Sequence, residues 1–348
     1  MDWREHPANR DFTPEAKVEV LRQMMRIRRF EQTTLKYYNG GRIGGWLVLS
    51  IGQESIAAAA RSLMGPEDHS ISGWRGMGHA IAAGMEMGPC MAELFGKAGG
   101  CSKGKGGALS FFAPEKHFWG CYPLAAAHTP LAAGLAFALK QRQSEGAVAC
   151  FLGEGSVNQG VYHESLNLAG LFGLPVVYVI ENNRFAMFTS EARSSRFKDC
   201  LARRAETYGI AWDKTGDGDL YELRARLSVA FDRARKECQP TVIEIPTYRY
   251  YGSHVADANH KKYRTPEEIE HMKATRDPIV RWKETLLLEG LVSDDDVERM
   301  DAEAKAEAMA AVEFAEASAP PTVEDIVKDV YWESDHGTEA SKIGRHFF

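Results

Sequence analysis

The pattern of residues between 146 and 180 constrains the fold more than any other part of this 348-residue chain. A short apolar run, Gly146–Leu152, is followed by a glycine turn and then by apolar residues at helical spacing over Ser156–Phe172. Gly173-Leu174-Pro175 ends that helix, and a second apolar run follows at Val176–Ile180. A strand, a crossover helix and a second strand form a βαβ unit, so the pattern predicts a parallel sheet.

The rest of the chain extends this alternation of strands and helices. Two more strand-like runs, Ile210–Trp212 and Thr241–Ile245, flank a helix predicted at Leu220–Glu237. Towards the N-terminus the apolar spacing predicts helices at 14–39, Glu54–Leu63 and Ala92–Lys97. The predicted fold class is α/β, a doubly wound parallel sheet with helices on both faces, an N-terminal helix and a helical C-terminal tail.

The chain is predicted to form one domain over residues 1–348, with an N-terminal helical arm (1–42), an α/β core (43–280) and a helical tail (281–348). The tail contains the charged run DDDVERMDAEAKAEAMAAVEFAEA, which is typical of a solvent-exposed helix face. The region from Ile43 to Gly107 is dense in glycine, which indicates close approach of the backbone to a ligand.

Composition excludes several classes of protein. The chain has 42 Lys and Arg against 48 Asp and Glu, a formal net charge of −6, so no basic surplus predicts a nucleic-acid partner. No uninterrupted apolar run is long enough to span a membrane, and the start, MDWREHPANRDF, has no signal-peptide core. The six cysteines never occur as C-x-x-C, which favours reduced thiols and a cytoplasmic protein.

Chemically suitable side chains follow the two central strands. Gly153-Glu154-Gly155 stands where the first strand ends, and Glu181-Asn182-Asn183-Arg184-Phe185 stands where the second ends. Neighbouring parallel strands end at the same sheet edge, where a helix N-terminus can bind phosphate. Oxygen ligands together with phosphate suit magnesium or calcium, and not zinc. Glycine turns of this kind are common, however, and Asn158 replaces the third glycine of a dinucleotide fingerprint.

A longer match gives this site a family. Gly153–Thr189 resembles the thiamine diphosphate motif, which opens with GDG or GEG and closes with NN about 30 residues later. In detail the chain is similar to the alpha subunit of the thiamine-dependent first component of 2-oxo acid dehydrogenase complexes. The similarity covers nearly the whole chain and includes IGQES (Ile51–Ser55), WRGMGH (Trp74–His79), FGKAGGCSKGKGG (Phe95–Gly107), TYRYYGSH (Thr247–His254) and YRTPEEIEHMKATRDPI (Tyr263–Ile279).

The resemblance implies a role for individual residues. It assigns Mg2+ to Glu154, Asn183 and the backbone carbonyl of Phe185. It assigns the diphosphate to the turn at Gly153, the N–H groups of Gly155 and Ser156, and the guanidinium of Arg75, which has the geometry to grip phosphate. Trp74 stands where the family usually has a tyrosine, and Pro123 and Ala125 belong to a stretch that touches the thiamine rings mainly through backbone. His254 is the catalytic candidate, because a histidine can exchange a proton near neutral pH.

Several positions depart from the family pattern. Glu154 replaces the aspartate usual in pyruvate-type members, whereas branched-chain-type members resemble this chain in having glutamate. Ser110 replaces an expected histidine, Pro123-Leu124-Ala125 replaces G-I-V, and Met77 also differs. These departures leave the choice of substrate open.

The resemblance implies oxidative decarboxylation of a 2-oxo acid with thiamine diphosphate and Mg2+, followed by acyl transfer to a lipoylated acyltransferase partner. It also implies a beta subunit that supplies the activating glutamate, in a heterotetramer of two alpha and two beta chains. Pyruvate is the first expectation for the donor, with acetoin and branched-chain 2-oxo acids as alternatives. A thiamine-dependent carboligase subunit and a non-catalytic relative of the fold are the other hypotheses.

Overall fold

The structure is a computed structural model that describes residues 2–329 except 198, 217, 258 and 259. Its main sheet has six strands, namely β1 (His69–Ser72), β2 (Phe118–Cys121), β3 (Val148–Gly153), β4 (Val176–Asn182), β7 (Ala211–Lys214) and β8 (Thr241–Pro246). Their order in the sheet is β2-β1-β3-β4-β8-β7, and every neighbouring pair is parallel. The short strands β5 (Phe185–Ala186) and β6 (Thr189–Ser190) form a separate antiparallel hairpin.

Helices surround this sheet. In chain order they are α1 (Pro7–Arg10), α2 (Pro14–Asn39), α3 (Glu54–Arg61), α4 (Met77–Ala82), α5 (Met87–Leu94), α6 (Thr129–Gln141), α7 (Gly160–Phe172), α8 (Glu191–Ser194), α9 (Leu220–Glu237), α10 (His260–Tyr263), α11 (Pro266–Arg276), α12 (Pro278–Leu288) and α13 (Asp294–Ala317). Short 3-10 helices lie at Trp3–Glu5, Gly107–Leu109, Pro114–Lys116, Ser156–Asn158, Ala202–Tyr208 and Val323–Val327. No helix within the described residues has the length and apolar character needed to cross a bilayer.

The alternation of side chains along β3 explains why both faces of the sheet are covered. Val148, Cys150 and Leu152 point to the face that packs against α6 and α7. Ala149 and Phe151 point to the opposite face, whose apolar cluster includes residues of α2, α3 and α9. Because successive residues of a strand face opposite sides, one apolar run supplies both layers of the core. The doubly wound α/β prediction is confirmed.

Two predicted helices are confirmed at both ends. The predicted helix 14–39 is α2, which begins at Pro14 because the Thr13 side chain accepts a hydrogen bond from the Ala16 N–H. The helix predicted at Leu220–Glu237 is α9, capped by the carboxylate of Asp219. The remaining strands and the helix at Glu54 agree with prediction to within a few residues.

Other boundaries were wrong. The helix predicted at Ser156–Phe172 is interrupted, because Gln159 is extended between the 3-10 turn Ser156–Asn158 and α7. The helix predicted at Ala92–Lys97 runs instead over Met87–Leu94 and stops before Gly96, whose φ is +65°. Strands β1 and β2 were not predicted, since each has only four residues and neither shows a distinct apolar pattern.

The charged run of the tail is not solvated all round. It forms α13, whose inner face buries residues at helical spacing, Met300, Ala304, Ala308, Ala311, Val312 and Ala315. This face packs against α2 and α5, and acidic residues at its edge pair with arginines of α2, as in Arg22–Glu303 at 2.6 Å and Arg26–Glu307 at 2.6 Å. The predicted solvent-exposed face is therefore present, and the inner face opposite it is buried. The predicted tail beyond residue 329 lies outside the described residues.

Candidate active site

A cavity of about 420 Å³ lies at the carboxyl ends of β3 and β4. The parallel register pairs Gly153 with Glu181, so the residues that follow each strand emerge side by side. The cavity wall contains nearly all of the predicted site residues, namely Trp74, Arg75, Pro123, Ala125, Gly153, Glu154, Gly155, Ser156, Asn183 and Phe185. The two strand ends and three loops that are distant in sequence therefore meet at one place, where open α/β sheets bind ligands.

Glu154 is the carboxylate at the centre of this arrangement. It is buried. Burial raises the pKa of Glu154, while the backbone N–H groups of Glu154 and Asn183 and the charges of Arg75 and Arg249 act in the opposite direction. Because burial penalises its negative charge, a cation placed against Glu154 would stabilise the ionised form.

The two consecutive asparagines have different tasks. Asn182 is a structural residue, since its amide donates to Glu244 at 2.8 Å and to Glu191 at 3.0 Å. Asn183 faces the cavity, and its Oδ1 accepts from the Phe185 N–H at 3.4 Å and from Arg249 Nε at 3.2 Å. This turn brings the amide oxygen of Asn183 and the backbone of Phe185 to the same side as Glu154.

The glycines of the turn have distinct steric roles. A Cβ at Gly155 would lie 2.6 Å from the Cβ of Ala186, so only glycine lets the β5–β6 hairpin approach this closely. A Cβ at Gly153 would meet nothing within 4 Å, because that side of the residue opens into the cavity. The turn therefore holds the hairpin against the strand end and leaves space for a ligand.

Arg75 supplies positive charge to the cavity wall. Its guanidinium donates to the carbonyl of Leu49 at 2.7 Å and to the carbonyl of Ser253 at 3.0 Å. Burial, and next the charge of Arg249, lower the pKa of Arg75 to about 9. The group is therefore still charged at neutral pH, and it is poorly hydrated, which favours an anionic ligand.

His254 lies near the mouth of the cavity and not in its wall. Its ring packs edge-on against Trp46, with the ring centroids 4.4 Å apart, and Trp46 in turn contacts Trp74 at 5.7 Å. The neighbouring Ser253 does line the cavity. The predicted catalytic role of His254 stays a prediction.

Two wall residues that the sequence reasoning missed carry unpaired polar atoms. Gln53 Oε1 and His128 Nδ1 are buried and have no hydrogen-bond partner among the described residues. His128 donates from Nε2 to the carbonyl of Phe151 at 2.8 Å, and burial lowers its pKa to about 4, so its ring is neutral with Nδ1 as an acceptor. Buried acceptors are normally satisfied, so the cavity fits a ligand that brings hydrogen-bond donors. Gln53 belongs to the IGQES motif, whereas no sequence signal identifies His128.

Glu181, which the sequence analysis placed at the end of the second strand, also lines the cavity, and its carboxylate lies 3.0 Å from His79 Nε2. Both residues belong to segments quoted for the family resemblance, but neither was assigned a role.

The donor set indicates which metals fit. Among the described residues no group of three or more His, Cys, Asp or Glu side chains could hold a metal ion. The predicted ligands are instead one carboxylate, one amide oxygen and one backbone carbonyl. These hard oxygen donors suit Mg2+, which commonly completes its coordination with phosphate oxygens and water.

The backbone N–H groups of the glycine-rich loop before residue 110 are not available to a ligand, because they bind a side chain of the protein. The carboxylate of Glu93 accepts four backbone hydrogen bonds, from Ser102 at 2.8 Å, Gly104 at 2.8 Å, Gly106 at 2.8 Å and Gly107 at 3.0 Å. The group that these glycines let the backbone approach is therefore a side chain of the protein itself.

The departures at Ser110, Met77 and 123–125 from the family pattern fall in two places. Ser110 and Met77 do not line the cavity, and Met77 is buried in the core. Pro123 and Ala125 do line it, together with Leu124. Substitutions at 123–125 can therefore change the shape of the cavity directly, whereas those at Ser110 and Met77 cannot.

The chain is similar to known proteins over most of its length. The family model described as "Dehydrogenase E1 component" matches residues 22–324. The pyruvate dehydrogenase E1 component subunit alpha of Rhizobium meliloti (strain 1021) is 36% identical over 320 residues, which cover 92% of this chain and 91% of that protein. The proteins of the same name from Rickettsia bellii (strain RML369-C) and from Zymomonas mobilis subsp. mobilis are each 37% identical over 317 residues. Both matches cover 91% of this chain, with 96% and 88% of those proteins respectively.

Proposed function

The chain belongs to the dehydrogenase E1 component family, and from that premise we propose that the cavity at the ends of β3 and β4 holds thiamine diphosphate through Mg2+. The chain is the alpha subunit of a thiamine-diphosphate-dependent 2-oxo acid dehydrogenase. The observation that carries the proposal for the cavity is that Glu154, Asn183, Phe185 and Arg75 line the same wall. A metal diphosphate needs oxygen ligands for the metal ion and a positively charged group, here the guanidinium of Arg75, for the phosphates.

The residues of this chain would bind and orient the cofactor. Glu154, Asn183 and the Phe185 carbonyl would hold Mg2+, and Arg75 would neutralise the diphosphate. When bound, thiamine diphosphate would supply the carbanion that attacks a 2-oxo acid and the ring that takes up the electrons released with carbon dioxide. His254, near the mouth, would hold or pass a proton, because an imidazole can both donate and accept one.

A beta subunit is the partner that the family implies, and the surface around the mouth supports such a partner. Two apolar residues that line the cavity are exposed, Leu124 by 70% and Met187 by 39%. Trp46, whose ring contacts the ring of Trp74, is 52% exposed. Exposed apolar side chains grouped in this way commonly mark a protein interface. We propose that the beta chain covers this mouth and completes the site in a heterotetramer of two alpha and two beta chains.

Pyruvate is the proposed donor, because the relatives described above are named pyruvate dehydrogenase subunits. The proposed acceptor is the lipoyl group of an acyltransferase partner. Reduced cysteines fit the proposed cytoplasmic location, since all six are free thiols.

The test is an assay of the alpha chain co-expressed with its beta chain, supplied with thiamine diphosphate, Mg2+ and a lipoylated domain. Pyruvate, acetoin and branched-chain 2-oxo acids are compared as donors, and acylation of the lipoyl group is followed by mass spectrometry. We expect acetylation from pyruvate, lost on Glu154→Ala. Decarboxylation that yields a hydroxyketone, with no acyl-lipoyl product, would instead identify a carboligase. Absence of turnover with every donor, despite cofactor binding, would contradict the proposal.

A further inference from the structure

The guanidinium of Arg249 is fully buried and contacts the proposed metal ligands. It has no exposed surface, and its Nε donates to Asn183 Oδ1 at 3.2 Å. Its Nη2 lies 3.5 Å from the Phe185 carbonyl and donates to the Met187 carbonyl at 3.1 Å. Two of the three oxygens proposed to bind Mg2+ are therefore in contact with a cation that the protein itself supplies.

The lone pairs of Asn183 Oδ1 are already used. An amide oxygen has two acceptor sites, and here the Phe185 N–H and Arg249 Nε occupy them at 3.4 Å and 3.2 Å. A metal ion that coordinates Oδ1 needs one of these lone pairs. The Phe185 N–H is fixed by the turn, so Arg249 is the donor that can withdraw.

Arg249 can release Asn183 without leaving its place. A guanidinium has five N–H donors, and those not directed at Asn183 bind the Tyr251 carbonyl at 2.6 Å, the Met187 carbonyl at 3.1 Å and the Tyr263 hydroxyl at 3.1 Å. Withdrawal from Oδ1 therefore breaks one hydrogen bond among several.

The positive charges of Arg249 and Arg75 also oppose the binding of a metal ion at Asn183. Arg249 is near enough to Arg75 to lower its pKa, and near enough to Glu154 to oppose the rise in the pKa of that carboxyl. A divalent cation that enters alone meets the guanidinium groups of Arg75 and Arg249 beside the carboxylates of Glu154 and Glu181. A diphosphate brings the negative charge that offsets these guanidinium charges.

We propose that Arg249 is a positioning residue that holds the metal ligands in the cofactor-free protein and competes with the metal for Asn183 Oδ1. Metal alone then binds weakly, and the diphosphate is required for the metal to displace the arginine. This inference rests on the proposed function, because it takes Glu154, Asn183 and Phe185 as the metal ligands.

The test measures Mn2+ affinity by electron paramagnetic resonance of the free ion, with and without thiamine diphosphate, on the alpha chain in complex with its beta chain. In Arg249→Met we expect the affinity for Mn2+ alone to rise about tenfold, and the tightening caused by thiamine diphosphate to shrink accordingly. Arg249→Lys keeps the positive charge but not the planar guanidinium, so its affinity for Mn2+ alone should lie between those of the wild type and Arg249→Met.

Arg264→Met is the matched control, because Arg264 is also buried in this region but donates to the carbonyls of Arg249 and Tyr251. It should not raise the affinity for Mn2+ alone. An unchanged or lowered Mn2+ affinity in a folded Arg249→Met would overturn the inference, as would tight Mn2+ binding to the wild type without the diphosphate. Failure of the wild type to bind Mn2+ even with thiamine diphosphate would instead refute the proposed function.

A second measurement needs no variant. Crystal structures of the wild-type complex with and without Mg2+ and thiamine diphosphate should show the bond from Arg249 Nε to Asn183 Oδ1 only in the cofactor-free form. The same bond in both forms would overturn the inference.

Discussion

Replacing Glu93 by glutamine should destabilise the protein far more than its small change in size would indicate. The carboxylate is buried, and each of its oxygens accepts two backbone N–H groups from the loop between Ser102 and Gly107. Glutamine has the same shape but only one acceptor oxygen. Its NH2 group would face two N–H donors that have no other acceptor in this arrangement.

The magnitude follows from the number of hydrogen bonds lost. A hydrogen bond to a charged group contributes about 1.5–3 kcal/mol, and a buried donor left unpaired carries its full desolvation penalty. Two lost bonds therefore predict a decrease of about 3–6 kcal/mol in the free energy of unfolding of the region that contains the loop. Glu86→Gln is the matched control, because Glu86 precedes the same helix but is exposed.

Urea unfolding followed by circular dichroism measures the loss of stability, and hydrogen–deuterium exchange locates it. Peptides covering 100–110 should exchange much faster in Glu93→Gln, whereas Glu86→Gln should behave as the wild type. A Glu93→Gln variant with a wild-type urea midpoint and unchanged exchange in this loop would refute the reasoning.

Three further predictions concern buried charge and the cavity. Burial raises the pKa of Glu31 to about 8, so between pH 4.5 and 8 the native state keeps a proton that the unfolded chain releases. The free energy of unfolding should therefore fall by up to about 5 kcal/mol as the pH rises. Glu31→Gln should remove this pH dependence, measured as the difference between urea midpoints at pH 5 and pH 8. Arg75→Met should weaken thiamine diphosphate binding by about 10- to 150-fold in a tryptophan fluorescence titration, because one charge-assisted contact to phosphate is lost; unchanged affinity would place the diphosphate elsewhere. Gly155→Ala should abolish metal-dependent cofactor binding in the same titration, because the new Cβ would lie 2.6 Å from the Cβ of Ala186. The double variant Gly155→Ala, Ala186→Gly should restore part of this binding. A double variant that binds no better than Gly155→Ala would contradict the steric explanation.

The parts of the fold that could be predicted from sequence are those whose signal is local. The β3–β4 unit has long apolar runs separated by glycine turns, and α2 and α9 have capping residues at their first turns. Strands β1 and β2 are held mainly by pairing with strands distant in sequence, so their four residues carry little pattern of their own. The buried face of α13 depends on α5 and α2, which no local pattern identifies.

The candidate site divides in the same way. Glu154 and Asn183 follow predicted strands, so sheet geometry alone places them together. Arg75 and Pro123 came only from the family resemblance, because loops far apart in sequence have no periodicity that predicts their meeting. His128 and Arg249 were missed, since their importance lies in an unpaired atom and a shared oxygen that only the folded structure reveals.

Two glycine-rich segments of the chain have different surroundings in the structure. The glycines of the turn at Gly153 and of the loop at Ser102–Gly107 both predict close approach of the backbone to a ligand. The first borders a cavity, whereas the second is filled by the carboxylate of Glu93. The sequence has no signal that distinguishes a ligand from a side chain 9 to 14 residues away.

The central claim is that this cavity holds thiamine diphosphate through a metal ion bound at Glu154. Isothermal titration of thiamine diphosphate into the alpha–beta complex, with Mg2+ and then with a chelator, tests it most directly. We predict binding in Mg2+ that is lost both with the chelator and in Glu154→Ala, while that variant keeps the wild-type thermal unfolding profile. Equal affinity with the chelator, or wild-type affinity in Glu154→Ala, would contradict the account.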